Sequence, residues 1–195
     1  MQERILRSRL KNFYQDSVVL HPVNYDKFYQ ATFSFFINVV CSIMEDRKVK
    51  ILFRFYSELL EQDMVETMWA DIVNANLGHY KLDSIPFYVP FIATDDIVHA
   101  EYDDAEEMLL YKETVEASGN STLWVVITNE KANADDIRET FYQLNCLSDA
   151  VSEYFFTMEV KADTNYLVIK DKLNELKAEG MIEYMEGCLS VNHQY

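Results

Sequence analysis

Thirty residues near the C-terminus, 163–192 (DTNYLVIKDKLNELKAEGMIEYMEGCLSVN), carry the tightest local pattern in the chain and narrow what it can fold into. Leu167, Lys170, Leu173 and Leu176 recur at three-residue spacing, and Ile169 precedes Leu173 by four, which predicts a helix with one buried stripe. Asp163 or Thr164 offers an N-cap oxygen to an orphan backbone N–H. Asp171, Glu175 and Glu179 share the exposed side with Lys170, Lys172 and Lys177. Gly180 suits the left-handed position that closes a helix. Met181, Ile182, Tyr184 and Met185 then run up to Glu186-Gly187, and Cys188, Leu189 and Val191 run back. A short glycine-containing turn between apolar runs predicts a β-hairpin.

Punctuation elsewhere is sparse. Four glycines and three prolines in 195 residues leave little room for long loops. Residues 2–15 have helical spacing, with Ile5, Leu6, Leu10 and Phe13 on one side and Arg4, Arg7, Arg9 and Lys11 on the other. A solvated basic face, or one paired with the chain's own acids, is its commoner meaning than a docking helix. A second helix starts at Asn24 and ends near Asp46. Phe28, Ala31, Phe35, Phe36, Val39, Val40 and Ile43 fill most of its circumference, which suits the centre of a core. Residues 48–56 alternate as a strand, although a helix running on from Lys50 also fits. Residues 57–77 read as helix through Leu59, Leu60, Val65, Met68, Trp69 and Val73, stopped by Gly78. Pro86 and Pro90 make 86–93 an edge strand or an extended connector. Residues 103–115 read as helix through Met108, Leu109, Tyr111 and Val115.

Ser118-Gly119-Asn120 forms a turn, and the joint over 117–121 is the place where an aromatic-rich, mainly helical domain over 1–117 would divide from an α/β segment over 118–195, the alternative being one continuous domain. Residues 122–128 (TLWVVIT) are continuously apolar, as in a strand buried on both faces. Asn133 is a good N-cap, and Asp135 and Asp136 sit in the first turn, where the helix dipole favours carboxylates. That helix would carry Ile137, Phe141, Leu144, Leu147, Val151 and Tyr154, followed by a strand over 155–161.

The helix, glycine stop and hairpin of 163–192 resemble the recognition helix and wing of a winged-helix domain, over about a sixth of the chain. The resemblance implies an α+β protein, predominantly helical, with a small sheet and a C-terminal helix plus β-hairpin. Acidic winged-helix proteins that bind proteins include the accessory subunits that clasp kleisins in bacterial SMC-type complexes and subunits of prokaryotic defence systems. Kinship with them would make the C-terminal unit a docking module.

Charge bears on the partner. The formal net charge is −16. Residues 1–60 carry nine Lys/Arg and six Asp/Glu (9 − 6 = +3), and residues 61–195 carry eight and twenty-seven (8 − 27 = −19). Such a field repels phosphate backbones, so direct DNA binding is disfavoured. Solubility alone is the commoner meaning of acidity. Cys41, Cys146 and Cys188 are scattered and odd in number, as in a reducing compartment. No signal-like N-terminal h-region and no run of eighteen apolar residues occurs, so the chain reads as cytoplasmic, without a membrane association.

Chemical motifs are few. His99-Ala100-Glu101 has the H-x-E of zinc deaminases but no later P-C-x-x-C. The acidic run 95–107 lacks the D-x-D-x-D-G order of a calcium loop. No GxxxxGK[ST], GxGxxG or GxSxG is present. Cys146 falls among apolar residues and reads as core. Glu159-Val160-Lys161 resembles the second half of a PD-(D/E)xK nuclease motif, in which carboxylates hold a metal and the lysine orients water. Asp135 and Asp136 are the nearest upstream acids.

These readings leave no catalytic residue, no metal site and no cofactor. The expectation is a non-enzymatic interaction subunit, docking a protein with a basic surface; a homo-oligomer is compatible. Its contact residues would be Asp95, Asp96, Glu101, Asp103, Asp104, Glu106 and Glu107, with Lys170, Lys172, Tyr184 and Met185 from the C-terminal unit. The alternatives are a DNA mimic, using the carboxylates of 95–116 and 135–153, and a metal-dependent nuclease through Glu159 and Lys161.

Overall fold

The computed structural model describes residues 48–57 and 61–194, so the helices expected over 2–15 and 24–46 lie outside the described residues. Strand β1 (Lys48–Ser57) pairs antiparallel with β2 (Gln62–Asn74), from Lys48 opposite Asp71 to Ser57 opposite Gln62. Residues 62–74 are therefore strand and not helix. Val65, Met68, Trp69 and Val73 fit a helical stripe, but Met64, Met68 and Ala70 also alternate with Val65, Thr67 and Trp69. The β1 partner selects the two-residue period, and β-branched and aromatic side chains suit that pleated surface.

Strands β3 (His79–Leu82), β4 (Ile97–Asp103) and β5 (Met108–Glu116) continue the meander. β5 returns parallel to β1 through Ile51–Leu109 and Leu52–Leu110, closing a five-stranded barrel. The helix expected over 103–115 is thus the turn and second strand of a hairpin. Leu109 and Tyr111 both point into the barrel, whose interior is Ile51, Phe53, Met68, Ala70, Leu82, Val98 and Ala100. Closure removes the open edges that a short meander would otherwise expose.

The second unit begins at β6 (Ser121–Ile127). It continues through α1 (Ala134–Tyr142), β7 (Cys146–Ser152), β8 (Phe155–Val160), α2 (Tyr166–Ala178) and β9 (Ile182–Cys188). The sheet order is β7-β8-β6-β9, with every pairing antiparallel. This β-α-β-β-α-β arrangement is the split βαβ, or ferredoxin-like, motif. Leu123, Val125, Ile127, Phe156, Met158 and Val160 pack on Ile137, Phe141, Ile169 and Leu173 of the two helices.

Three C-terminal expectations are corrected. The helix after Asn133 stops at Tyr142 and does not reach Tyr154, because Asn145 turns with a positive φ of 62° and β7 pairs with β8. The helix of 163–192 exists, but its cap is Asn165, whose side chain accepts from Leu167 N–H, and its buried stripe is Tyr166, Ile169 and Leu173. Leu167 is exposed. Gly180 does take the left-handed conformation at its end (φ 71°).

The hairpin over 181–191 is absent. Glu186 and Gly187 lie inside β9, which pairs with β6, and Val191 belongs to a 3-10 turn. Gly187 is needed at a bulge, since a Cβ there would stand 2.7 Å from the Trp124 ring. Without a wing there is no winged helix, and the described residues are predominantly β, with nine strands and two α-helices. Among them no helix is long and apolar enough to cross a membrane.

A connector, 83–96, joins β3 to β4 and lies between barrel and sheet. It is the extended connector that Pro86 and Pro90 suggest. Glu66 on β2 accepts the backbone N–H groups of Phe87, Tyr88 and Val89 at 2.8, 2.9 and 3.0 Å. Thr157 donates to Pro86 O (2.8 Å), Thr122 donates to Ile92 O (3.0 Å), and Tyr88 stacks on Phe155. Burial pushes the Glu66 carboxyl above its ordinary value, against the pull of the three N–H groups. Glu66→Ala should lower unfolding stability by about 2–4 kcal/mol, since each stranded buried donor costs roughly 1–3 kcal/mol and water rescues part. Urea unfolding checks this; a loss under about 0.5 kcal/mol would remove Glu66 from this role.

Candidate functional site: an acidic hairpin and a cleft between the two units

Acidic residues collect at two places. One is the tip of the β4–β5 hairpin. Asp103 ends β4 and accepts the N–H groups of Ala105 and Glu106 at 2.9 and 3.0 Å, closing the turn. Those two donors, opposed by slight desolvation and helped by Arg54, hold its carboxyl below the ordinary value. Glu107 completes the turn at a positive φ of 54°. Glu106 pairs with Arg54 of β1. Asp104 and Glu107 are exposed and, among the described residues, stand in no ion pair. Glu101 pairs with Lys112 at 3.5 Å and lies 3.9 Å from His99. Tyr102, 63 % exposed, stands beside them.

The other is a cleft of about 670 Å³ where the connector, α1, β7 and the end of β8 meet. Lys161 donates to Glu159 Oε1 at 2.9 Å and to Asp95 Oδ2 at 3.0 Å. Lys81 of β3 reaches the other Asp95 oxygen at 3.4 Å. Asn120 donates to Glu159 Oε1 (3.2 Å) and to Thr94 O (3.0 Å). Partial burial works against the Asp95 charge, yet Lys161 and Lys81 hold its carboxyl below the ordinary value. Burial likewise opposes the Lys161 charge, and Glu159 and Asp95 outweigh it and raise the ammonium's pKa. On the far wall Arg138 grips Ser148 through its hydroxyl (3.0 Å) and carbonyl (2.9 Å), and Asp135 at 3.2 Å.

The structure thus brings Glu159, Lys161 and Asp135 to one cleft, although Asp135 is a first-turn residue of α1 and Asp136 does not line the cleft. Among the described residues no group of three or more His, Cys, Asp or Glu is arranged to hold a metal. Asp95 belongs to this ionic network and not to the hairpin. Asp96 is 3 % exposed and accepts from Ala93 N–H (2.9 Å) and Ser118 N–H (2.7 Å), a turn-holding role.

The C-terminal residues serve cohesion. Lys170 and Tyr166 both bond Glu186, Tyr184 donates to Asn174 (2.8 Å), and Lys177 pairs with Glu183 (2.7 Å), stitching α2 to β9. Lys172 pairs with Glu175 within α2 (3.0 Å), and Met185 packs toward Met64, Val126 and Phe155.

Sequence reasoning missed Asn120, Lys81 and Arg138 as members of this cleft, and placed Asp149 only among the carboxylates of 135–153. Only Arg138 left a trace, three residues after Asp135 on a helix. It also missed a buried latch. Ser121 Oγ accepts Ser190 N–H (2.8 Å) and meets His193 Nδ1 (2.7 Å), while the His193 ring stacks on Tyr166. Ser121 has no exposed surface, so this Ser–His pair ties down the C-terminal turn and is out of a substrate's reach. Cys146 and Cys188 are likewise removed from thiolate chemistry, burial pushing them up to about 12 and about 11.

Fold and site together define a two-module protein, a closed β-barrel joined to a split βαβ sheet with a polar cleft at the seam. Residues 66–184, more than half of the chain, match the family described as a domain of unknown function (DUF4265), and the chain belongs to that family. No curated protein matches it. A crystal structure of a hypothetical protein from Neisseria gonorrhoeae shares the fold, with a TM-score of 0.64 at 23 % identity over 73 % of this chain and 96 % of that one. Neither comparison indicates a winged-helix family.

Burial lowers the pKa of His193 below the ordinary 6.5, and the Lys161 carbonyl opposes this weakly, short of a formed hydrogen bond. A depressed folded pKa means that the unfolded chain takes the proton more readily. The latch's contribution is therefore complete above about pH 6.5 and is lost as the pH falls through the folded value. The melting temperature should drop between about pH 7.5 and about pH 5.5, and His193→Phe should remove at least about half of that drop. An undiminished drop in the variant would sink the latch as its source.

Proposed function

We propose that this protein is a non-catalytic binding protein that docks a protein partner with a basic surface on the acidic β4–β5 hairpin. The observation that carries the reading is the hairpin tip, where Asp103, Asp104, Glu106 and Glu107 crowd a rigid turn beside exposed Tyr102. Surface carboxylates steer a cationic partner and an exposed tyrosine supplies contact area. The structural employment of Glu66, Asp96 and the Ser121–His193 pair supports a binding role over a catalytic one. With the wing withdrawn, no argument for an SMC-type or defence-complex subunit remains.

Immobilised full-length protein and its Asp104→Lys/Glu107→Lys variant, offered the same native lysate at about 0.15 M salt, test this. A basic protein should be retained by the wild type and at least tenfold less by the variant. Equal retention would overturn the hairpin as the docking element. If duplex DNA competes the captured partner away, the carboxylates are standing in for phosphates, which is the DNA-mimic form of the same reading. A second reading rests on Glu159, Lys161 and Asp135 lining one cleft. Cleavage of DNA by the purified chain with Mg²⁺, abolished in Glu159→Ala, would replace binding by nuclease activity.

A further inference from the structure

The cleft at the seam has chemistry that hairpin docking leaves unused. Its volume falls inside the range of small-molecule sites, roughly 300–1,000 Å³. Glu159 is 2 % exposed and lines it. Asn120 and Lys161 both donate to Oε1; among the described residues no donor reaches Oε2, which opens on the cleft. A carboxylate oxygen held nearly dry and left without a donor is a site for a ligand's N–H.

The charges set the ligand's sign. Asp83, Asp95, Asp135, Glu139, Asp149 and Glu159 line the cleft with two cations, Arg138 and Lys161. Lys48 and Lys81 pair with Asp83 and Asp95 from the rim. Six carboxylates less four cations leave two negative charges. Asp149 on β7 is exposed and, among the described residues, stands in no ion pair; it lies opposite Thr157 in register, on the sheet face of Glu159 and two residues along β8 from it. Ile85, Tyr142 and Leu147 supply apolar surface in the same lining. Glu159 and Asp149 are diagonal cross-strand neighbours, about 7–8 Å apart at the backbone, with Leu147 opposite Glu159 in register, and this spacing matches a short chain of methylenes carrying an ammonium at each end.

We propose that this cleft binds a linear aliphatic diamine or polyamine, with one ammonium on Glu159 Oε2, the other toward Asp149, and the methylenes against Ile85, Tyr142 and Leu147. A lysine side chain offers the same terminal ammonium without the second charge. A compact divalent cation offers charge without the hydrocarbon.

Isothermal titration of the full chain with putrescine and spermidine at about 0.15 M salt tests this. Saturable binding at one site per chain is expected. Glu159→Gln and, separately, Asp149→Asn should each weaken it at least tenfold, while Asp104→Asn at the hairpin leaves it unchanged. N-acetyl-lysine amide should bind at least tenfold more weakly than putrescine. Asp149 is exposed, so its variant carries the test even if Glu159→Gln lowers the melting temperature. No saturable binding overturns the proposal, as does unchanged affinity in Asp149→Asn, equal weakening by Asp104→Asn, or displacement of the amine by an equal concentration of Mg²⁺. The residues differ from those of the hairpin, so failure here leaves partner capture at Asp104 and Glu107 standing, and the converse holds.

Discussion

The Glu66 carboxylate decides how the two units meet. A connector half-buried between a barrel and a sheet carries backbone donors shielded from much of the water, and such donors must find acceptors. Glu66 takes three of them in succession, and Asp96 takes a fourth, Ala93 N–H, where the connector turns back into β4, together with Ser118 N–H from the turn after β5. The connector can then lie flat on the sheet face that α1 and α2 do not cover. Thr122, Trp124, Val126, Phe155 and Thr157 face it, and its own Tyr88 fills the gap while Ile92 turns into the barrel core. Both faces of β6 and β8 are thereby buried, which is why apolar residues run consecutively in them, as in 123–127 and 155–156, and why Thr122, Thr157 and Glu159 on the connector face each find a hydrogen-bond partner.

That burial also explains what was legible in the sequence. β6 stood out because a strand buried on both faces needs no partner to be recognised. The Asn133 cap and the Gly180 stop were visible because capping is local chemistry. β2 and the β4–β5 hairpin were hidden because Val65, Met68, Trp69 and Val73, or Met108, Leu109, Tyr111 and Val115, satisfy a helical stripe as well as a strand. Only pairing with β1 and β4 separates the two. β9 was misread for the same reason in reverse. Hairpin grammar assigns a strand the nearest apolar run as partner, whereas Ile182 pairs with Ile127, far back in the chain. The cleft was half visible. Glu159 and Lys161 are two residues apart, but Asp95, Asn120, Lys81 and Arg138 become their neighbours only when connector, sheet and helix are assembled.

The use of cations follows from the same architecture. Nine of the eleven described lysines and arginines stand in ion pairs, and Lys50 lies over the Trp69 ring. Most of these pairs bridge different elements: Lys48 to the connector, Arg54 to the hairpin tip, Lys81 and Lys161 across the seam, Lys170 and Lys177 to β9. In a chain with a net charge of −16, positive groups are scarce. Among the described residues this leaves Asp104 and Glu107 at the hairpin tip without an ion-pair partner, while Arg54 and Lys112 offset Glu106 and Glu101 beside them.

Burial then separates the two acidic places physically. Lys48 at the cleft end of β1 and Arg54 near the hairpin tip are six residues apart, roughly 20 Å of strand. That distance exceeds the Debye length of about 8 Å at physiological salt, so the two fields act nearly independently in water. Asp104 and Glu107 are exposed, and salt screens an attraction built on them. Glu159 is walled by protein, where screening is weak and an ammonium delivered to Oε2 keeps most of its electrostatic gain. On the two proposals, a partner held at the hairpin would be salt-sensitive and an amine held in the cleft salt-tolerant. One acidic chain can offer both because Glu159 is walled off by protein while Asp104 and Glu107 stay in water.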